Sequence, residues 1–262
     1  MQGQDYPIDG EDLINVSILD SSFNPPTMAH LALSRLSNTT TSVNTDFNAK
    51  LLLYSMKNAD KVPTLGDTSP SERVEMMILL AKELERLGAA SVEPGSSQNI
   101  AVAVCQEPIF VEKSKILQAY FVSRMEYLSS SSSTTTMVRL TFLLGIDTLE
   151  RLFMPKYYGT EEDMRAAMQA LFASDNGTRV LCVRRAFGQS YMQSDPELVE
   201  RDKDYVASGA VVFTDIEEEL SSISSSEVRK NIQQGKTTSL WKGKVIDTIA
   251  QYIEEHGLYR EQ

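Results

Sequence analysis

Short apolar runs alternating with stretches of helical periodicity constrain this chain more than any other feature. Residues 13–19, 51–54, 99–105, 138–144, 179–183 and 210–213 read as strands. Residues 28–36, 71–87, 112–128, 147–153 and 161–173 read as helices between them, and two more at about 225–234 and 240–256 close the chain. In the second helix Val74, Met77, Ile78, Ala81, Leu84 and Leu87 recur on one face. Strands separated by helices cannot pair as hairpins. They pair in parallel through crossovers. The expected architecture is therefore α/β, a doubly wound parallel sheet of about six strands with C-terminal helices. Ligands in such sheets sit beyond the carboxyl ends of the strands. A length of 262 residues and a hydrophobic content of 42% fit a single domain over 1–262 with a sizeable core.

The net charge of −11 and the pI of about 4.8 argue against nucleic acid, whose partners carry a basic face. They say nothing against a small nucleotide, which needs only a few local donors and cations. Cys105 and Cys182 lie far apart in apolar runs, without metal-binding or redox spacing, and read as buried free thiols of a reducing compartment. The polar N-terminus has no signal-peptide pattern, and no apolar run reaches membrane-spanning length. The expected compartment is the cytoplasm, with the nucleus as a second. Residues 129–136 form an unbroken Ser/Thr run and read as a mobile surface loop between helix and strand, and the Thr/Asn/Ser-rich stretch 37–48 also reads as a loop. Oligomeric state leaves no signal.

After the first strand the chain turns through Asp20-Ser21-Ser22-Phe23-Asn24-Pro25-Pro26. The prolines exclude helix at the preceding positions and stiffen the turn. Thr27 is then placed as a helix N-cap, with His30 in the first turn. Unpaired amides and the positive helix end make that turn an anion site. Near the other end of the chain, Ser224 followed by Glu227 reads as a capping box. Ser225 and Ser226 fall in that first turn and Arg229 stands one turn in. Each segment taken alone also reads as an ordinary capped helix.

Taken together, the two segments resemble a known family. Ser22-Phe23-Asn24-Pro25-Pro26-Thr27-Met28-Ala29-His30 is similar to the Gly-Ser-Phe-Asn-Pro-x-Thr-x-x-His signature of nicotinamide mononucleotide adenylyltransferases. Ile223-Ser224-Ser225-Ser226-Glu227-Val228-Arg229 resembles the Ile-Ser-Ser-Thr-x-x-Arg motif of the same nucleotidyltransferase superfamily. Ser21 stands where the family has glycine, and Ser226 where it has threonine. The resemblance implies a Rossmann-like fold and ATP binding through Ser21, Ser22, Phe23, Asn24, Thr27, His30, Ser224, Ser225, Ser226 and Arg229. It implies catalytic roles for His30, Arg229 and a lysine after the second strand, for which Lys61 is chosen and Lys57 held in reserve. Leu144-Gly145-Ile146-Asp147-Thr148-Leu149 resembles the segment that binds adenosine and ribose, which implicates Gly145 and Asp147. Asn58 and Lys61 are the expected acceptor contacts.

Residues 99–102 and 108–113 resemble a fungal branch of these enzymes, Arg184 and Arg185 follow the fifth strand where an arginine approaches ATP, and Leu258-Tyr259 resembles the family's closing pair. Many members stack the nicotinamide ring on mid-chain tryptophans. Here the one tryptophan, Trp241, lies after the second motif, so Phe110 or Tyr120 is expected to substitute. The implied reaction joins the AMP moiety of ATP to nicotinamide mononucleotide, or to nicotinate mononucleotide, giving NAD and pyrophosphate. Mg²⁺ is expected to be held mainly by the phosphates, since the sequence has no dedicated metal cage. Two other readings stay open: an adenylyl- or cytidylyltransferase with another phosphorylated acceptor, and a nucleotide-binding regulatory protein with little catalysis.

Overall fold

All six apolar runs are strands of one parallel sheet in the computed structural model, which describes residues 12–37, 47–57, 67–89, 99–128, 136–173, 177–184 and 203–260. The strands are β1 (Asp12–Ser21), β2 (Ala49–Ser55), β3 (Asn99–Cys105), β4 (Thr136–Gly145), β5 (Arg179–Arg184) and β6 (Val211–Asp215). Their order is β3-β2-β1-β4-β5-β6, with every neighbouring pair parallel. This is the doubly wound, Rossmann-like arrangement expected, and its order reverses between β1 and β4. The helices are α1 (Met28–Ser34), α2 (Pro70–Ala89), α3 (Phe110–Leu128), α4 (Ile146–Leu152), α5 (Glu161–Phe172), α6 (Glu218–Ser221), α7 (Ser225–Gln233) and α8 (Asp247–Glu255).

The central strands are apolar without interruption because both faces of the sheet are covered. Leu19, Leu52 and Leu143 point to one face, where α1, α2, α7 and α8 supply Leu31, Met77, Val228 and Ile249. Ile18, Leu51, Leu53 and Phe142 point to the other, against Val111 of α3, Leu149 of α4 and Met164 of α5. On α2 the buried stripe runs through Arg73, Met76, Met77, Leu80, Ala81 and Leu84, and Ile78 is exposed. The apolar face is thus rotated from the one expected, toward the tail helix α8.

The expected helix over 240–256 is shorter, beginning only at Asp247. Ahead of it lie two 3-10 turns, Thr238–Leu240 and Lys242–Lys244. Gly243 is a poor helix former, and Val245 and Ile246 are extended β-branched residues, which ends regular helix there. The bend buries Trp241, Val245 and Ile246 in the core. Both cysteines are free, as expected, but Cys105 is only half-buried at the edge strand β3. Residues 129–135 of the Ser/Thr run, 38–46 of the second loop and Met1 to Glu11 lie outside the described residues.

Candidate active site

The carboxyl ends of β1 and β2, the start of α3 and the first turns of α4 and α7 enclose a cavity of about 840 Å³. One side of it is cationic and hydroxylic: Ser21, Ser22, Lys57, Arg73, Ser226 and Arg229. Another is apolar and aromatic: Pro108, Ile109, Phe110, Tyr157 and Tyr158.

The first motif is a rigid bracket. Phe23 has φ 45 and the Asn24–Pro25 bond is cis. A non-glycine residue in the left-handed region costs on the order of 1 kcal/mol or more and persists only where its surroundings hold it. Here the Phe23 ring is fully buried in the core and packs 5.2 Å from the His30 ring. Phe23 therefore shapes the turn from beneath, with its ring in the core and not on the cavity wall.

Thr27 caps α1, as expected, and His30 sits at the third helical position. The Thr27 backbone N–H donates to His30 Nδ1 at 3.0 Å, and the Thr27 hydroxyl lies 2.9 Å from the same nitrogen. Nδ1 is therefore an acceptor, and the proton of the neutral ring is on Nε2. Burial lowers the His30 pKa from 6.5 to about 4, so the ring is neutral near pH 7. Nε2 lies 2.9 Å from Ser21 Oγ and so donates to it. His30 and Thr27 stand behind the cavity wall, and the Ser21 hydroxyl stands between the imidazole and the open space.

The second motif closes the opposite side. The Ser224 hydroxyl caps α7 by accepting from the Glu227 N–H at 3.2 Å. The Glu227 carboxylate pairs with Lys244, and so does not complete the reciprocal box. Ser225 donates to the Pro25 carbonyl at 2.8 Å, tying α7 to the first motif. Arg229 Nη1 donates to the Asn24 carbonyl at 2.6 Å and Nη2 approaches Ser226 Oγ at 3.4 Å. Of this motif Ser226 and Arg229 face the cavity, and Ser224 and Ser225 hold them there.

Gly145 is the N-cap residue of α4 and Asp147 lies in its first turn, its carbonyl accepting from Arg151 Nε at 3.1 Å. The cavity wall there is formed by Thr148, Arg151 and Leu152 instead. Asn58 and Lys61 lie outside the described residues, and Lys57 reaches the cavity. Phe110 lines it too, whereas Tyr120 is 61% exposed on α3. Arg184 is engaged by Asp215 of β6, with Nε 2.8 Å from Oδ1, and Arg185 lies outside the described residues.

Several site residues escaped sequence reading. Arg73 reaches the cavity from α2, its guanidinium 5.4 Å from the Tyr54 ring centroid and its Nε donating to the Thr68 carbonyl at 3.1 Å. Asp67 stands between Arg73 and Arg229 at 3.9 Å from each. Asn24 donates to Asp67 at 2.7 Å and accepts from Thr68 and Tyr259, each at 2.8 Å. Asp20 and Lys113 form a buried ion pair on the cavity wall. The available signal was an arginine within the apolar stripe of α2, and a lysine likewise on the buried face of α3.

No family model matches the chain. It is 26% identical to a Schizosaccharomyces pombe protein named as a proposed nicotinamide mononucleotide adenylyltransferase, over 188 residues that make up 72% of this chain and 60% of the relative. The chain thus spans less than two thirds of that relative's length. Two solved structures of Plasmodium falciparum nicotinic acid mononucleotide adenylyltransferase share its fold. The complex with NaAD superposes with a TM-score of 0.56 at 16% identity, and the complex with APC with 0.55 at 15%. In both, 94% of this chain and 97% of the other are covered. The chain is thus similar in sequence to the Schizosaccharomyces pombe relative and shares the fold of the two Plasmodium falciparum structures.

Proposed function

We propose that this chain transfers the adenylyl group of ATP to the 5′-phosphate of nicotinamide mononucleotide, or of its nicotinate analogue, releasing pyrophosphate. The observation that carries this reading is the cavity wall on which Ser22, Arg73, Ser226 and Arg229 converge in front of a neutral His30. Arg229 and Arg73 offer planar forks suited to phosphate oxygens. An acceptor phosphate oxygen forms a bond to the α-phosphorus as the bond from that phosphorus to the bridging oxygen breaks. The electron pair leaves with pyrophosphate, and no covalent enzyme intermediate is needed. Positioning and charge stabilisation supply the catalysis.

A phosphate oxygen that displaces the Ser21 hydroxyl accepts the Nε2–H of His30 in its place. Because His30 enters neutral, it donates a hydrogen bond without a prior protonation step. Lys61, in the segment after the second strand, is the proposed lysine for the acceptor phosphate, and Lys57, which lines the same cavity, is its reserve. Mg²⁺ would be held mainly by the triphosphate, with the Ser22 and Ser226 hydroxyls as the nearest protein groups, and would supply positive charge to offset that of the phosphates. Cytoplasmic placement belongs to the same proposal.

The test is pyrophosphate release with Mg²⁺ and ATP against nicotinamide mononucleotide, nicotinate mononucleotide, phosphopantetheine and flavin mononucleotide. Product with a pyridine mononucleotide supports the reading. Product with one of the others alone replaces the acceptor. No product with any acceptor, in a chain that still binds ATP, favours a nucleotide-binding regulatory protein. The Ser21 hydroxyl on His30 Nε2 is the observation that keeps this last reading in play.

A further inference from the structure

We propose that the buried pair Asp20–Lys113 reads the ring substituent of the acceptor and selects a carboxamide over a carboxylate. The inference rests on the adenylyl-transfer reading above. Lys113 Nζ donates to Asp20 Oδ2, and the two side chains are 4% and 5% exposed. Ser55 Oγ donates to the other oxygen, Asp20 Oδ1, at 2.9 Å. Both members of the pair line the cavity. A buried ion pair returns little net stability over apolar packing of the same volume, so packing alone gives no strong reason for one in a cavity wall.

The placement of the pair suits recognition. Asp20 leads directly into Ser21 and Ser22, on the phosphate side. Lys113 lies one helical turn from Phe110, its Nζ 4.7 Å from that ring's centroid, on the aromatic side with Tyr157 and Tyr158. A mononucleotide with its phosphate toward Ser22 and Arg229 and its base among these aromatics brings the ring substituent to Lys113 and Asp20 together. An ammonium only donates, and an ionised carboxylate only accepts. A carboxamide satisfies both, its oxygen accepting from Lys113 and its NH₂ donating to Asp20. A carboxylate also accepts from Lys113, but it sets a second anionic group against Asp20 with no proton between them. Like charges so juxtaposed are strongly disfavoured.

The experiment measures kcat/KM of the full chain with Mg²⁺–ATP for nicotinamide and nicotinate mononucleotides, in the wild type and in Asp20→Asn. The wild type should favour the amide by on the order of tenfold or more, because a polar site rejects a mismatched analogue. Asp20→Asn leaves the Lys113 cation without its counter-charge and should move the ratio toward the acid by at least that factor. Equal use of the two, preference for the acid, or an unmoved ratio in a folded variant overturns the inference. If Asp20→Asn does not fold, the Asp20→Asn/Lys113→Met double variant removes both charges and should lose discrimination; retained discrimination overturns the inference. If the wild type makes no dinucleotide from either acceptor, the transfer reading fails by itself. The inference is then decided by equilibrium dialysis of the two mononucleotides: tighter retention of the amide supports it, and equal retention overturns it.

Discussion

Acid should destabilise this protein through His30 in particular. The ring has no charged form it can adopt without loss: Nδ1 accepts from the Thr27 backbone, and burial lowers the pKa from 6.5 to about 4. The unfolded chain, with an ordinary histidine, binds the proton more readily than the folded one. Stability from this source is therefore complete above about pH 6.5 and falls as pH drops toward 4. Each tenfold in proton affinity is worth about 1.4 kcal/mol, so the loss is about 2 kcal/mol at pH 5 and about 3 kcal/mol at the acid limit. These are upper values, because the half-buried residue keeps some contact with solvent. The comparison is with His30→Asn, whose Oδ1 can still accept from the Thr27 N–H and which does not titrate. Urea midpoints at pH 7 and pH 5 for both proteins isolate the term, since His256 and the carboxylates are common to them. The wild type should lose up to about 2 kcal/mol more than the variant over that interval. Equal losses would mean that the ring is solvated well enough to protonate in place, and the neutral-donor account of catalysis would fall with it.

Other perturbations probe the same wall. His30→Ala should lower turnover by roughly a hundredfold or more, with a circular dichroism spectrum like the wild type's, as for loss of an oxyanion donor; near-normal turnover would remove the residue from catalysis. Ser21→Gly should raise kcat/KM by about fivefold, because the Nε2–H no longer has to exchange one neutral hydrogen bond worth about 1 kcal/mol; a fall would mean that the hydroxyl itself holds phosphate. Arg229→Lys keeps the charge but loses the fork that spans the Asn24 carbonyl and Ser226. It should raise the KM for ATP on the order of tenfold, read from initial rates. Tyr259→Phe removes the hydroxyl that donates to Asn24. The cost should be about 1 kcal/mol in chemical denaturation, with a raised KM for ATP as Asn24 and Asp67 loosen together.

The fold was legible because its signal is redundant. Each central strand is apolar on both faces, each helix between strands carries a 3.6-residue stripe, and the strand ends shift by only one or two residues. The tail was less legible. The apolar residues Trp241, Val245 and Ile246 continue the pattern of α8 although the chain there is not helical. Periodicity records which residues are buried, and burial was achieved here by two 3-10 turns.

The site was legible to the extent that its residues are neighbours in sequence. Thr27 and His30 share one helical turn, and so do Ser226 and Arg229, so local spacing was enough to group each pair. Nothing local relates Asp20 to Lys113, or Asp67 to Arg73 and Arg229; only the winding of the sheet brings the ends of β1 and β2 against the start of α3. Phe23 is the converse case. It belongs to the motif by sequence, but its ring is part of the core, and its contribution is the conformation it imposes on Asn24 and the two prolines. Motif membership therefore identified residues of one cavity wall but not the division of labour among them. Contacts between segments distant in the chain leave no such local signal, and the Asp20–Lys113 pair and the aromatic residues Phe110, Tyr157 and Tyr158 meet in the cavity wall only through the fold.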